Sequence, residues 1–109
     1  MRFASAFANR IDDLELLKDY GRLDIDGNIP RILEANSEVV ADNFLRKWGN
    51  PPKLPLPNKP PGSWKAQAPD GTWLTRYPST QGDPGRWTLR FQLPDGKVVK
   101  VRFGDRVEN

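Results

Sequence analysis

The run Arg86-Trp87-Thr88-Leu89-Arg90-Phe91-Gln92-Leu93-Pro94-Asp95-Gly96-Lys97-Val98-Val99-Lys100-Val101-Arg102-Phe103 decides the fold. Before the central Pro-Asp-Gly, Trp87, Leu89, Phe91 and Leu93 alternate with Arg86, Thr88, Arg90 and Gln92. After it, Val99, Val101 and Phe103 alternate with Val98, Lys100 and Arg102. A period of two belongs to strands. Proline suits the first central turn position, aspartate the second, and glycine supplies the positive φ that follows, so a three-residue hairpin loop is predicted. Pairing Leu93 with Lys97 sets Phe91 opposite Val99, Leu89 opposite Val101 and Trp87 opposite Phe103, all apolar. On the other face Arg90 meets Lys100 and Thr88 meets Arg102. A slip of one residue would mix the faces, so this register is strongly specified.

Working upstream, Pro69-Asp70-Gly71 repeats the turn and makes residues 63–103 two hairpins. In the register set by Asp70, Trp64 and Trp73 cannot share a face, so one of them is open to solvent. The loop Pro78–Gly85 between the hairpins is polar and rich in glycine and proline, a type that often carries function. Residues 49–62 hold six prolines in fourteen positions. They read as an extended, largely polyproline connector, with PxxP spacing at Pro52–Pro55 and Pro57–Pro60. Residues 3–48 carry helical spacing. Phe3, Phe7, Ile11, Leu14 and Leu17 share one face, Gly21 marks a stop, and a second pattern follows Pro30 through Ile32, Val39 or Val40, Phe44 and Trp48 to Gly49. Ser37, after Asn36, is a candidate cap within it. The expected fold is α+β: N-terminal helices packed on a C-terminal antiparallel sheet of about four strands, joined by the proline-rich crossover, with a tail at 104–109, in one domain.

Composition narrows the chemistry. The chain of 109 residues has no cysteine and no histidine. Disulfides, thiol nucleophiles, zinc fingers and histidine acid–base catalysis are excluded. No metal or cofactor is expected. No apolar run approaches the roughly 18 residues of a membrane span, and Met1–Arg10 is too short in its apolar part for an export signal. Net charge is +3, but residues 1–50 carry 7 basic and 9 acidic groups, against 10 and 5 in residues 51–109. The basic half suggests a polyanionic partner.

The hairpin register locates that charge. Arg86, Arg90, Lys100 and Arg102 surround Thr88 on one face, with no carboxylate nearer than Asp95 at the turn. Like charges across a sheet destabilise it, so the arrangement reads as an anion site, with arginine forks suited to phosphate. Carboxylates such as Asp12 or Glu15, packed from the helices, are the competing explanation. Metal-free RNA cleavage needs an acid, a base and cations around the phosphate. Asp83 is the candidate base. Tyr77, Lys65 and Lys100 are candidate acids if neighbouring cations lower their pKa values. Arg86, Arg90 and Arg102 would hold phosphate, with Thr88, Ser79 and Thr80 as further donors.

Helices followed by a tryptophan-rich sheet, with Tyr-Pro-Ser-Thr leading through Gly-Asp-Pro-Gly into Arg-Trp-Thr-Leu-Arg-Phe and on to Val-Lys-Val-Arg-Phe, resemble the C-terminal ribonuclease domains of bacterial polymorphic and contact-dependent growth inhibition toxins. The resemblance covers roughly residues 63–103. It implies a barnase/EndoU/colicin/RelE-like fold, an antibacterial endoribonuclease acting on RNA, often tRNA, and a sheet-face site at Arg76, Tyr77, Thr80, Arg86, Thr88, Arg90 and Arg102. It further implies an acidic immunity-protein partner, and secretion within a larger effector that acts in the target-cell cytoplasm. The missing histidine departs from the barnase-like and EndoU-like branches. Two other readings stay open, each of a cytoplasmic protein: a non-enzymatic nucleic-acid-binding or phage-type inhibitor module, and a protein-interaction module using residues 50–61; on its own the chain is expected to be a monomer.

Overall fold

The computed structural model describes residues 24–26, 29–79 and 85–107. The strands among them are β1 (Asp24–Asp26), β2 (Ile29–Ile32), β3 (Leu54–Pro55), β4 (Trp64–Gln67), β5 (Trp73–Pro78), β6 (Arg86–Gln92) and β7 (Val98–Arg106). One helix, α1 (Ser37–Lys47), accompanies them. All the strands join one sheet in the order β1-β2-β7-β6-β5-β4-β3. Six of them have three or more residues and β3 is a two-residue edge. Neighbours are antiparallel except β2 and β7, which run parallel. The expectation of helices packed on about four antiparallel strands is therefore overturned: the fold is β-rich, with a mixed sheet and one short helix among the described residues.

The two hairpins form as the turn chemistry dictates. Gly71 and Gly96 both have positive φ, +98° and +92°. In each turn the glycine N–H donates to the residue three before it, Ala68 or Leu93. Asp70 and Asp95 accept from the N–H two residues on, Thr72 and Lys97, each at 2.9 Å. Local geometry alone fixes both loops. Phe91↔Val99, Leu89↔Val101, Arg90↔Lys100 and Thr88↔Arg102 pair as the alternation requires. Trp87 does not meet Phe103. The register shifts between Arg86 and Thr88, so that Arg86 stands opposite Arg106 and β7 carries the surplus residues. Residues 104–106 thus extend the sheet rather than trailing from it.

The second helical pattern divides. Ile29 is extended, as a residue before proline should be, and Ile29–Ile32 becomes β2. Asn36 then breaks the run with extended backbone, and its side chain accepts from the Glu38 and Val39 N–H groups, capping α1. Glu38 in the first turn and Arg46 and Lys47 in the last suit the helix dipole. The first helical pattern, Phe3 to Gly21, lies outside the described residues. The proline-rich stretch is not a uniform polyproline rod. Leu54 and Pro55 pair with Lys65 and Trp64, and Leu56, Lys59 and Ser63 close turns through backbone hydrogen bonds.

The core lies between α1 and one sheet face. Val40, Ala41, Phe44, Leu45 and Trp48 recur at spacings of three and four. They pack with Ile32, Leu74, Leu89, Phe91, Val101 and Phe103. Phe44 meets Phe91 edge-on, with ring centroids 4.9 Å apart. Each such fully buried side chain contributes about 1.5–3 kcal/mol. With α1 on this face, the even-numbered residues of β6 and β7 occupy the opposite one.

Candidate functional site

Three rows of side chains cross that opposite face. Gln67, Trp73, Gln92 and Val98 form one; Lys65, Thr75, Arg90 and Lys100 the next; Tyr77, Thr88 and Arg102 the third. Parallel pairing adds Arg31 of β2 beside Arg102. Directly opposed side chains on adjacent strands lie about 4.5–5.5 Å apart at Cβ, so Arg90 with Lys100 and Arg31 with Arg102 are adjacent like charges. No aspartate or glutamate of β4–β7 shares this face; Asp105, the carboxylate of β7, binds Ser37 at the start of α1 instead. On the far side of Arg31, its register partner in β1 is Asp24.

Exposure grades along the face. Lys65 and Lys100 are exposed and Trp73, Thr75, Tyr77 and Arg90 partly so. Thr88 and Arg102 are buried, with relative exposures of 4% and 8%. Arg102 Nε has no hydrogen-bond partner. A buried cation is expensive unless paired, so an anion that reached the Arg102 guanidinium would compensate its charge. Beside it, burial pushes the Tyr77 phenol above its ordinary 10.0, while Arg90 and Arg102 pull it back down. Burial wins, so the expectation of a cation-lowered tyrosine is corrected. Tyr77 keeps its proton at neutral pH. Arg90 is held by Gln92, Nη1 donating to Oε1 at 3.0 Å.

Other expected members go elsewhere. Arg76 is on the core side, 5% exposed. Its Nε donates to Ser37 Oγ at 3.0 Å and its Nη1 to the Gly62 carbonyl at 2.8 Å. Asp105 and Glu38 oxygens lie 3.5 and 3.4 Å from it. The reason is parity: Arg76 opposes Leu89 and Trp64, both core residues. Arg76 is thus removed from the phosphate site. Arg86 donates from Nη1 to the Gly104 carbonyl at 2.9 Å, bracing the register shift. Ser79 is buried beyond the end of β5, its N–H bonded to the Arg86 carbonyl. Thr80 and Asp83 lie outside the described residues.

Arg31 is the cation that sequence reasoning missed. It lies in a stretch whose spacing read as helix, and no local signal announces a parallel partner seventy residues away. A separate open cleft of about 370 Å³ lies beside α1. It is lined by Asp42, Leu45, Arg46, Asn50, Pro51 and Lys53, with Lys53 paired to Asp42 at 2.9 Å. Among the described residues no cluster of three or more acidic side chains stands ready to hold a metal ion. Nor is any described helix long and apolar enough to cross a membrane. No protein-family model, curated protein or solved structure matches the chain.

Proposed function

We propose that the face formed by Lys65, Tyr77, Thr88, Arg90, Lys100 and Arg102 binds RNA through its phosphates, and that the chain is a metal-independent endoribonuclease. The observation that carries this reading is Arg102: a buried guanidinium with an unpartnered Nε, next to a protonated phenol and a second arginine. A phosphate seated there would compensate the buried charge. During cleavage the 2′-oxygen bonds to phosphorus and the bond to the 5′-oxygen breaks. Arg90 and Arg102 would stabilise the charge that builds on the phosphoryl oxygens. Tyr77 would give its proton to the departing 5′-oxygen and regain one from water, while the 2′-hydroxyl proton leaves to solvent. The products are a 2′,3′-cyclic phosphate and a 5′-hydroxyl.

The resemblance to toxin ribonucleases relied on helices preceding a four-to-five-stranded antiparallel sheet. The mixed sheet departs from that plan, so this reading stands on the face and not on a family. A toxin role, tRNA as substrate and an acidic immunity protein remain proposals attached to it. A second reading, RNA binding without cleavage, is favoured by one observation: the β4–β7 face offers an acid at Tyr77 but no carboxylate to act as base. Incubating the purified chain with total tRNA in the presence of a chelator separates the two. Discrete fragments with cyclic ends establish the enzyme. A mobility shift without fragments establishes the binder. Neither fragments nor a shift would refute both.

A further inference from the structure

Trp73 is the aromatic that the site leaves unused. Trp64 is buried in the core, whereas Trp73 lies on the polar face and is partly exposed. It opens β5 directly after a turn fixed by Gly71 and the Asp70–Thr72 hydrogen bond, so its indole is presented by rigid backbone. Lys65 Nζ lies 5.1 Å from the ring centroid. Along β5, Trp73, Thr75 and Tyr77 share the face, and Arg90 is the cross-strand partner of Thr75. At about 3.3 Å per residue, the indole and the phenol are roughly 13 Å apart along the strand, with Arg90 between them.

Resting on the RNA-binding reading, we infer that Trp73 and Lys65 form a nucleotide subsite that stacks one unpaired base beside the Arg90–Arg102–Tyr77 phosphate site. The substrate is therefore single-stranded. In the interior of a duplex both faces of every base are already stacked, and only the two end pairs leave a face free. Lys65 does not block the ring. An exposed cation–π contact is worth about two- to fivefold in an equilibrium, and stacking a base about five- to a hundredfold. The flexible lysine stem moves its ammonium from the ring to the adjoining phosphate as the base arrives. The pair matches a nucleotide in both its parts, one π surface and one cation.

The test compares binding of a single-stranded RNA 10-mer, an abasic ribose-phosphate 10-mer and the duplex form of the RNA, read by fluorescence anisotropy across a salt series. Trp73→Ala should weaken single-strand binding about five- to a hundredfold while leaving the salt slope unchanged, because no phosphate contact is lost. Trp73→Phe should restore most of it; Trp73→Leu, apolar but without a π face, should not. The abasic strand should bind wild type and Trp73→Ala equally. If Trp73→Leu binds as well as wild type, or the duplex binds as tightly as the single strand, the subsite is refuted while the phosphate reading survives. If Arg90→Ala and Lys100→Ala leave both affinity and salt slope untouched, the phosphate reading itself fails.

Discussion

The guanidinium of Arg76 lies 3.8 Å above the ring centroid of Trp87, and this contact, not a Trp87–Phe103 pair, covers that tryptophan. The same arginine reaches Ser37 at the start of α1 and Gly62 at the end of the proline-rich segment. It ties helix, loop and sheet together. Removing it would leave the Asp105 carboxylate, which Ser37 binds through both N–H and hydroxyl, short of its cation. Arg76→Ala is expected to destabilise the fold by about 3–5 kcal/mol, and Arg76→Lys to recover little, since an ammonium cannot stack and fork at once. Urea melts measure this; a loss near 0.5 kcal/mol would show the hub to be dispensable.

Lys100 offers a case in which stability and binding move in opposite directions. It faces Arg90 across the β6–β7 ladder. Lys100→Glu replaces a repulsive cross-strand pair with an attractive one and should stabilise the fold by about 0.2–1 kcal/mol. The same change puts a carboxylate where RNA phosphates are proposed to lie and should weaken RNA binding and flatten its salt dependence. Parallel losses in both measurements would mean that Lys100 serves the fold.

Tyr77 gives a signature at alkaline pH. Its phenol is raised above 10.0 by burial, despite Arg90 and Arg102. The folded chain therefore holds this proton where the unfolded chain has released it. That component of stability is complete below the ordinary phenol pKa and is lost as pH rises through the folded value. Urea midpoints followed from about pH 9 to about pH 11 should fall less steeply for Tyr77→Phe than for wild type. Identical slopes would contradict the assignment. If the chain cleaves RNA, Tyr77→Phe should also reduce the rate by about 10²-fold or more, with binding little changed.

Gly104 marks the register shift at its tightest point. A Cβ there would lie 1.9 Å from the Leu33 carbonyl oxygen, a backbone atom that cannot rotate away. Gly104→Ala should cost about 1–3 kcal/mol, and hydrogen exchange should show the loss concentrated where β7 meets β2. Wild-type stability in that variant would mean that the Leu33 turn yields freely.

Both hairpins and most of the β6–β7 register were legible in the residues alone. Pro-Asp-Gly turns and period-two alternation are local, and a one-residue slip would bury Arg90 and expose Phe91. From that register the clustering of Arg90, Lys100 and Arg102 also follows. Long-range pairing was not legible. Ile29–Ile32 joins β7 in parallel, with Ile32 beside Phe103, through residues whose spacing also fits a helix stripe, and no neighbour in the chain decides between the two. Arg76, expected at the phosphate site, lies on the core side by its parity in β5, opposite Leu89 and Trp64, and there it stacks on Trp87. Sequence thus determined the two hairpins and the faces that β6 and β7 present up to the register shift, because turn and alternation energies act between near neighbours. Tertiary structure alone decided which cations are buried, paired or left open, because that depends on partners far apart in the chain.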